Sequence, residues 1–372
     1  MSPQEKLGKI REELKQSFLE RNDLIDGSLS ALLSAQHVLV IGPPGTAKSM
    51  LADEICRRIE GADYFQWLLT RFSTPEEIFG AVSLKALEQD DYRRVTEHKL
   101  PEAHIAFLDE IFKANSSILN AILTVINERL FHNGKEIVSV PLLSLFGASN
   151  ELPEDDELTA LYDRFLLRFV VNYIVEDFRF LRMLEGSDGK EKTGISLDEL
   201  KSMQREVRDV AIPGYVYRGI SDIRRELGKK NIIASDRRYR QSLDLLRALA
   251  YLSGSRQASE QELFFLEHVL WRDPAEQPEV RGTIRELIMG YEEEIQELLY
   301  QSQEIKEYAQ RPWETREKRA QALIEVHTKL RNILNRVDQI MEKAEKLGRP
   351  VDKVGAIKQE IAAIQQQMLE RF

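Results

Sequence analysis

"GPPGTAKS", residues 42–49, is the stretch on which the reading of the chain turns. It supplies Gly42, Lys48 and Ser49 of the phosphate-binding pattern G-x-x-x-x-G-K-[ST], but has Ala47 where that pattern has its second glycine. The apolar run "HVLVIG" (37–42) before it reads as a buried strand, and "SMLADEICRRI" behind it as a helix. In a strand–loop–helix of this kind the glycines let backbone N–H groups curl round phosphates. The following helix turns its positive N-terminus toward them. Lys48 would reach the β- and γ-phosphates and the Ser49 hydroxyl would bind Mg²⁺, so Gly42, Pro43, Pro44, Gly45, Thr46, Ala47, Lys48, Ser49 and Met50 form the candidate nucleotide-binding stretch. At a position needing positive φ, a methyl group costs on the order of 1 kcal/mol. The expectation is therefore that Ala47 lies in or beside the first helical turn, with negative φ.

Outward from the loop, buried strands alternate with helices as far as residue 172. "AHIAFLDE" (103–110) and "PLLSLFGASN" (141–150) are further apolar runs, and "FLLRFVVNYIV" holds a fourth. This alternation predicts an α/β core, residues 1–172, with a parallel sheet covered on both faces. Two hairpin excursions are expected, around 82–95 and 131–140, the second with a type I′ turn on Asn133-Gly134. Residues 173–275 read as an all-α lid domain, closed by the linker-like "WRDPAEQPEV" (271–280). Residues 280–372 carry three heptad seams. The first runs Ile284, Ile288, Tyr291, Ile295, Leu298 and Ile305 with a break at Ser302; the second runs from Leu323 to Leu347, and the third from Val354 to Met368. Pro312 and Gly348-Arg349-Pro350 mark the turns, so an antiparallel triple-helical domain is expected.

Composition narrows the function classes. A net charge of -10 over 372 residues argues against a general polyanion binder. A single cysteine, Cys56, excludes an internal disulfide framework and a zinc cluster and fits a reducing cytosol. The opening "MSPQEKLGKIREELKQ" lacks the apolar centre of a signal peptide, and no apolar run is long enough to span a bilayer. The histidines lack paired ligand spacing, so Mg²⁺ carried by the nucleotide is the expected metal. No N-K-x-D guanine-reading stretch is present, which favours ATP over GTP.

The strand ends downstream of the loop carry the remaining chemistry. "IAFLDE" ends in Asp109, placed to reach the Mg²⁺ coordination sphere, and Glu110, placed to orient an attacking water. "LFGASN" leaves Asn150 at another strand end, where its amide can bond the water or the γ-phosphate. "LYDRFLLRF" sets Arg164 and Arg168 one helical turn apart. "SDRRYRQ" opens a helix on which Arg237 could reach back over the nucleotide. Either kind of arginine can stabilise charge on a transferring phosphoryl group.

These stretches, in this order, resemble the MoxR group of AAA+ ATPases, with RavA-type members the nearest likeness, over residues 5 to 275. The resemblance implies Lys48 and Ser49 in the Walker A motif, Asp109 and Glu110 in Walker B, and Asn150 at sensor 1. It implies Arg164 as the arginine finger, with Arg168 its rival, and Arg237 at sensor 2. The excursions would be the helix 2 insertion and the hairpin before sensor 1. It further implies ATP and Mg²⁺ as cofactors and a cytoplasmic, chaperone-like homo-hexamer with a von Willebrand factor A (VWA) domain protein as partner. Some members dock a lysine decarboxylase through a small β-rich domain; no strand-rich block lies between 284 and 372, so that partner is not expected. A DNA translocase is the alternative, resting on Lys85, Arg93, Arg94 and Lys135, which Glu88, Asp90 and Asp91 offset. A nucleotide-gated scaffold with little turnover is a third reading.

Overall fold

The computed structural model describes residues 1–153, 156–185, 192–288, 292–313, 315–346 and 351–369. Its strands are β1 (Val38–Ile41), β2 (Ile59–Glu60), β3 (Tyr64–Leu68), β4 (Ile105–Asp109), β5 (Leu130–Asn133), β6 (Glu136–Ser139), β7 (Ser144–Ser149), β8 (Leu167–Val170) and β9 (Ile195–Ser196). Five of them form a parallel sheet in the order β3-β4-β7-β1-β8. Every residue of β1 and β7 is buried, as a strand covered on both faces requires; β1 is wholly apolar, and β7 adds only Ser144 and Ser149, whose hydroxyls donate to Gln36 O and Glu151 O.

β3 was not expected. It is the sheet edge, its burial alternates, and "YFQWL" has too few buried positions to stand out as a core strand. The 82–95 excursion is not a plain hairpin. An antiparallel bridge Val82–Arg94 closes it, but a helical turn, Leu84–Leu87, capped by the Ser83 hydroxyl, fills its tip. The 131–140 excursion is a hairpin of β5 and β6, with the turn displaced by one residue. Asn133 pairs with Glu136, so the loop residues are Gly134 and Lys135, and of these Gly134 alone has positive φ (64°). Asn133 is held inside the strand because its buried amide clamps the other excursion: Oδ1 accepts from Arg94 N (2.6 Å) and Nδ2 donates to Arg94 O (3.1 Å).

The chain divides into two compact units, Met1–Val280 and Arg281–Phe372. In the first, the helix Asp236–Leu252 packs against the helix Asn22–Ser34 of the core. β2 pairs with β9, and buried Arg58 binds Glu13, Glu54 (2.9 Å) and Thr193 O (3.0 Å), tying 192–196 to the helix behind the phosphate loop. In the second unit, helices Glu292–Ala309, Arg316–Lys346 and Asp352–Leu369 share one apolar core. Leu323, Val326, Leu330, Val337, Ile340 and Ala344 are buried there, as the second seam requires. Ser302, taken as a break, is 0% exposed and donates its hydroxyl to Leu298 O at 2.8 Å, so a small satisfied polar residue continues the seam. Tyr291, Leu347 and Gly348-Arg349-Pro350 lie outside the described residues. Among the described residues no helix is long and apolar enough to cross a membrane.

Candidate nucleotide site

The parallel registers bring three strand ends level. Ile41 pairs with Ser149, setting Gly42 beside Asn150; Leu108 pairs with Gly147, setting Glu110 beside Ser149. The carboxyl edge of such a sheet, where connections diverge to either side, is where ligands bind. Gly42 must be glycine there: an added Cβ would lie 2.1 Å from the Val171 carbonyl oxygen. Thr46 is buried and its hydroxyl donates to Pro43 O (2.9 Å), bracing the loop from inside. Pro44, Gly45 and Met50 face solvent.

The expectation for Ala47 is overturned. It is the N-cap of the helix Lys48–Arg57, with φ 63° and ψ 24°, in the left-handed region. The reversal from loop to helix demands that conformation, which is why the general pattern has glycine at this place. Alanine keeps the turn at a strain of about 1 kcal/mol.

The Lys48 ammonium is folded back onto its own loop, donating to Gly42 O (2.6 Å) and Pro43 O (2.9 Å) and lying 3.4 Å from Asn150 Oδ1. Asn150 Nδ2 in turn donates to Glu110 Oε1 at 2.8 Å, and Lys113 Nζ sits 3.2 Å from Glu110 Oε2. Burial draws the Lys48 pKa below its ordinary value, while Asp109 and Glu110 oppose that shift. Glu110 itself adopts φ 51°, and its N–H donates to Asp109 Oδ1 (3.0 Å). Lys48, Asn150 and Glu110 thus form one hydrogen-bonded chain across β1, β7 and β4. Ser49, half-buried on the first turn of the helix, and Asp109, at the end of β4, are hard oxygen donors of the type Mg²⁺ takes. Lys113 was not singled out by sequence; only its place beside Glu110 marks it.

The arginines lie in a second cluster, at the turn leading into β8. Arg168 is 1% exposed and donates to Trp271 O (2.5 Å) and Tyr162 O (3.1 Å), with its guanidinium over the Tyr162 ring at 3.8 Å. A side chain so enclosed cannot reach another subunit, which leaves Arg164 as the candidate finger. Arg164 is half-buried, and its Nε is buried without a hydrogen-bond partner among the described residues. Arg237 does not lie over the phosphate loop. Its Nη2 meets Asp163 Oδ2 at 2.5 Å, and Asp163 precedes the start of β8, whereas the loop leaves the far end of the paired strand β1. Leu24 and Ile25, on the helix ahead of β1, are both buried in the core. His37 is also structural: it accepts from Leu145 N at Nδ1 (3.0 Å), and burial with nearby Arg129 lowers its pKa to about 3.

Comparison with known proteins places this architecture. Residues 5–207 match the MoxR domain of MoxR–vWA–β-propeller ternary systems. The chain belongs to the MoxR family of AAA+ ATPases. Residues 215–284 of this MoxR protein match an AAA lid domain. It is 45% identical over 295 residues to an uncharacterised protein of Methanocaldococcus jannaschii, covering 78% of this chain and 76% of that one. A second uncharacterised protein of the same organism is 48% identical over 273 residues, covering 73% and 72%. The chaperone MoxR1 of Mycobacterium tuberculosis is 30% identical over 166 residues, covering 43% of each chain. A crystal structure from Cytophaga hutchinsonii, provisionally called an ATPase, superposes with a TM-score of 0.61 at 14% identity, over 77% of this MoxR chain and 94% of its own. At that identity the likeness is one of fold.

Proposed function

We propose that this MoxR protein hydrolyses ATP and uses the cycle to remodel or mature protein clients in the cytoplasm, as a ring of six with a VWA-domain partner. The observation that carries the reading is the Lys48–Asn150–Glu110 chain at the carboxyl edge of the sheet. On ATP binding Lys48 would exchange its loop carbonyls for phosphate oxygens. Glu110 would then orient a water for in-line attack, with Asn150 holding Glu110 in place. Mg²⁺ bound by Ser49 and Asp109 would supply charge neutralisation on the β- and γ-phosphates. Arg164, which is half-buried where Arg168 is enclosed, is the arginine of this pair that would meet a phosphate offered by a neighbouring subunit. The domain reading is residues 1–172 the nucleotide core, 173–275 the lid, and 280–372 a triple-helical module, which agrees with the RavA-type likeness carried by "DRF" (163–165) and "SDRR" (235–238).

A protein client is favoured over DNA by the two excursions. Arg93 is paired with Asp91 (3.0 Å) and Glu136 (3.0 Å), and Arg94 with Glu76 (3.0 Å) and Gly80 O (2.8 Å). The excursions also expose Leu84, Leu87, Tyr92, Ile137 and Val138, an apolar set beside the exposed Lys85 and Lys135, which Glu88, Asp90 and Glu136 offset. The partner class is supported by the family description, in which MoxR domains act with vWA proteins. The test is ATP turnover by the purified chain beside Glu110→Gln, followed by capture of bound proteins on Glu110→Gln with ATP. Equal turnover by the two would refute hydrolysis at this site; DNA rather than protein on the trapped form would revive the translocase.

A further inference from the structure

The turn 162–166, which carries Arg164, has its outward carbonyls and its one carboxylate bound by guanidinium groups. Arg238, 2% exposed, donates to Phe165 O (2.9 Å), Leu166 O (2.6 Å) and Val269 O (2.6 Å) and lies 3.7 Å from Asp163 Oδ1. Arg168 reaches the same carboxylate at 3.9 Å, and Arg237 at 2.5 Å. Two of these three cations are sealed in by carbonyls, while Arg237 is 37% exposed and is the member able to move. Arg237 and Arg238 open the lid helix Asp236–Leu252, so the segment presenting Arg164 is fastened directly to the lid. Because Asp163 is spent on three other arginines, it does not quench its neighbour Arg164, whose Nε keeps no internal partner. Three guanidiniums share this one carboxylate.

We propose that Asp163 is a positioning residue: by gripping Arg237 and Arg238 it sets the placement of Arg164 and makes that placement follow the lid. This rests on the reading of Arg164 as the group that meets the transferring phosphoryl. Misplacing such a group by an ångström costs about a hundredfold in rate. In steady-state ATP hydrolysis by the full chain, Asp163→Asn should lower kcat about ten- to hundredfold, with KM for ATP within about twofold. The double variant Asp163→Asn/Arg164→Ala should be no slower than Arg164→Ala alone, since Asp163 acts through Arg164. Asp163→Glu, which keeps the charge but moves it, should fall between wild type and Asp163→Asn, and serves the same comparison if the asparagine variant does not fold. Losses that multiply in the double variant, a raised KM, or wild-type kcat in Asp163→Asn would each overturn the proposal. Glu110→Gln separates the two levels of failure. If it hydrolyses like wild type, the hydrolysis reading falls and takes this proposal with it; if it is inactive while Arg164→Ala is not, only the role of Arg164 and Asp163 falls.

Discussion

Two polar assemblies in the core unit are built on opposite plans. At the phosphate-loop edge, Lys48, Asn150, Glu110 and Lys113 are joined in a chain, and Asn150 and Lys113 are open to solvent. At the turn before β8, Arg168 and Arg238 are enclosed and bonded to several carbonyls at once. A charge that must change partners during a cycle cannot be buried and saturated, because each exchange would leave an unpaired group in low dielectric. A charge that fixes a turn against the lid gains from that same condition.

The sharpest break of this contrast is at the loop. Lys48→Ala or Glu110→Gln should reduce ATP turnover by about a thousandfold or more, yet shift unfolding stability by less than about 1 kcal/mol. A large stability loss from either would show that the edge is also a structural clasp. At the turn the pattern should invert: Arg238→Ala removes donors from buried carbonyls and should cost about 3–5 kcal/mol in urea unfolding. If Arg238→Ala melted like wild type, the enclosed cluster would not be what holds the lid helix to the core.

A third prediction concerns pH. His37 is buried and neutral, with its pKa lowered to about 3 by burial and Arg129. An unfolded histidine titrates near 6.5, so below that pH the unfolded chain binds the extra proton first. Its stabilisation is fully present above about pH 6.5 and is lost as pH falls toward 3. Unfolding of wild type and His37→Gln between pH 7 and 4 should differ most at pH 7, the variant showing the shallower acid dependence. The smallest effect belongs to Ala47→Gly. Relief of the left-handed alanine, offset by the entropy of glycine in the unfolded chain, should stabilise by at most about 1 kcal/mol. A clear destabilisation would contradict the positive φ at residue 47.

The fold was legible where burial is complete on both faces. β1, β4 and β7 stand out as apolar runs, and their polar terminal residues, Asp109, Glu110 and Asn150, stand at the ends of those runs. β3 was not legible because an edge strand needs few apolar residues. The turn after Asn133 was misplaced because a tertiary clamp on Arg94 outweighed the local Asn-Gly preference. Arg164 and Arg168 look alike in the sequence, one helical turn apart. Only the packing of Trp271 and Tyr162 around Arg168 separates them.

By itself, the sequence determined the glycine-rich loop between strand and helix, the strands that carry the acidic and amide residues beside it, and the heptad seams of the second unit. All of these are local in period or composition, so short-range chemistry suffices to specify them. Tertiary structure alone decided the left-handed turn at Ala47, the chain of contacts from Lys48 to Glu110, and the gathering of Arg168, Arg237 and Arg238 about Asp163. Those depend on strand register and on carbonyls contributed from distant segments, and no single stretch of the chain encodes either.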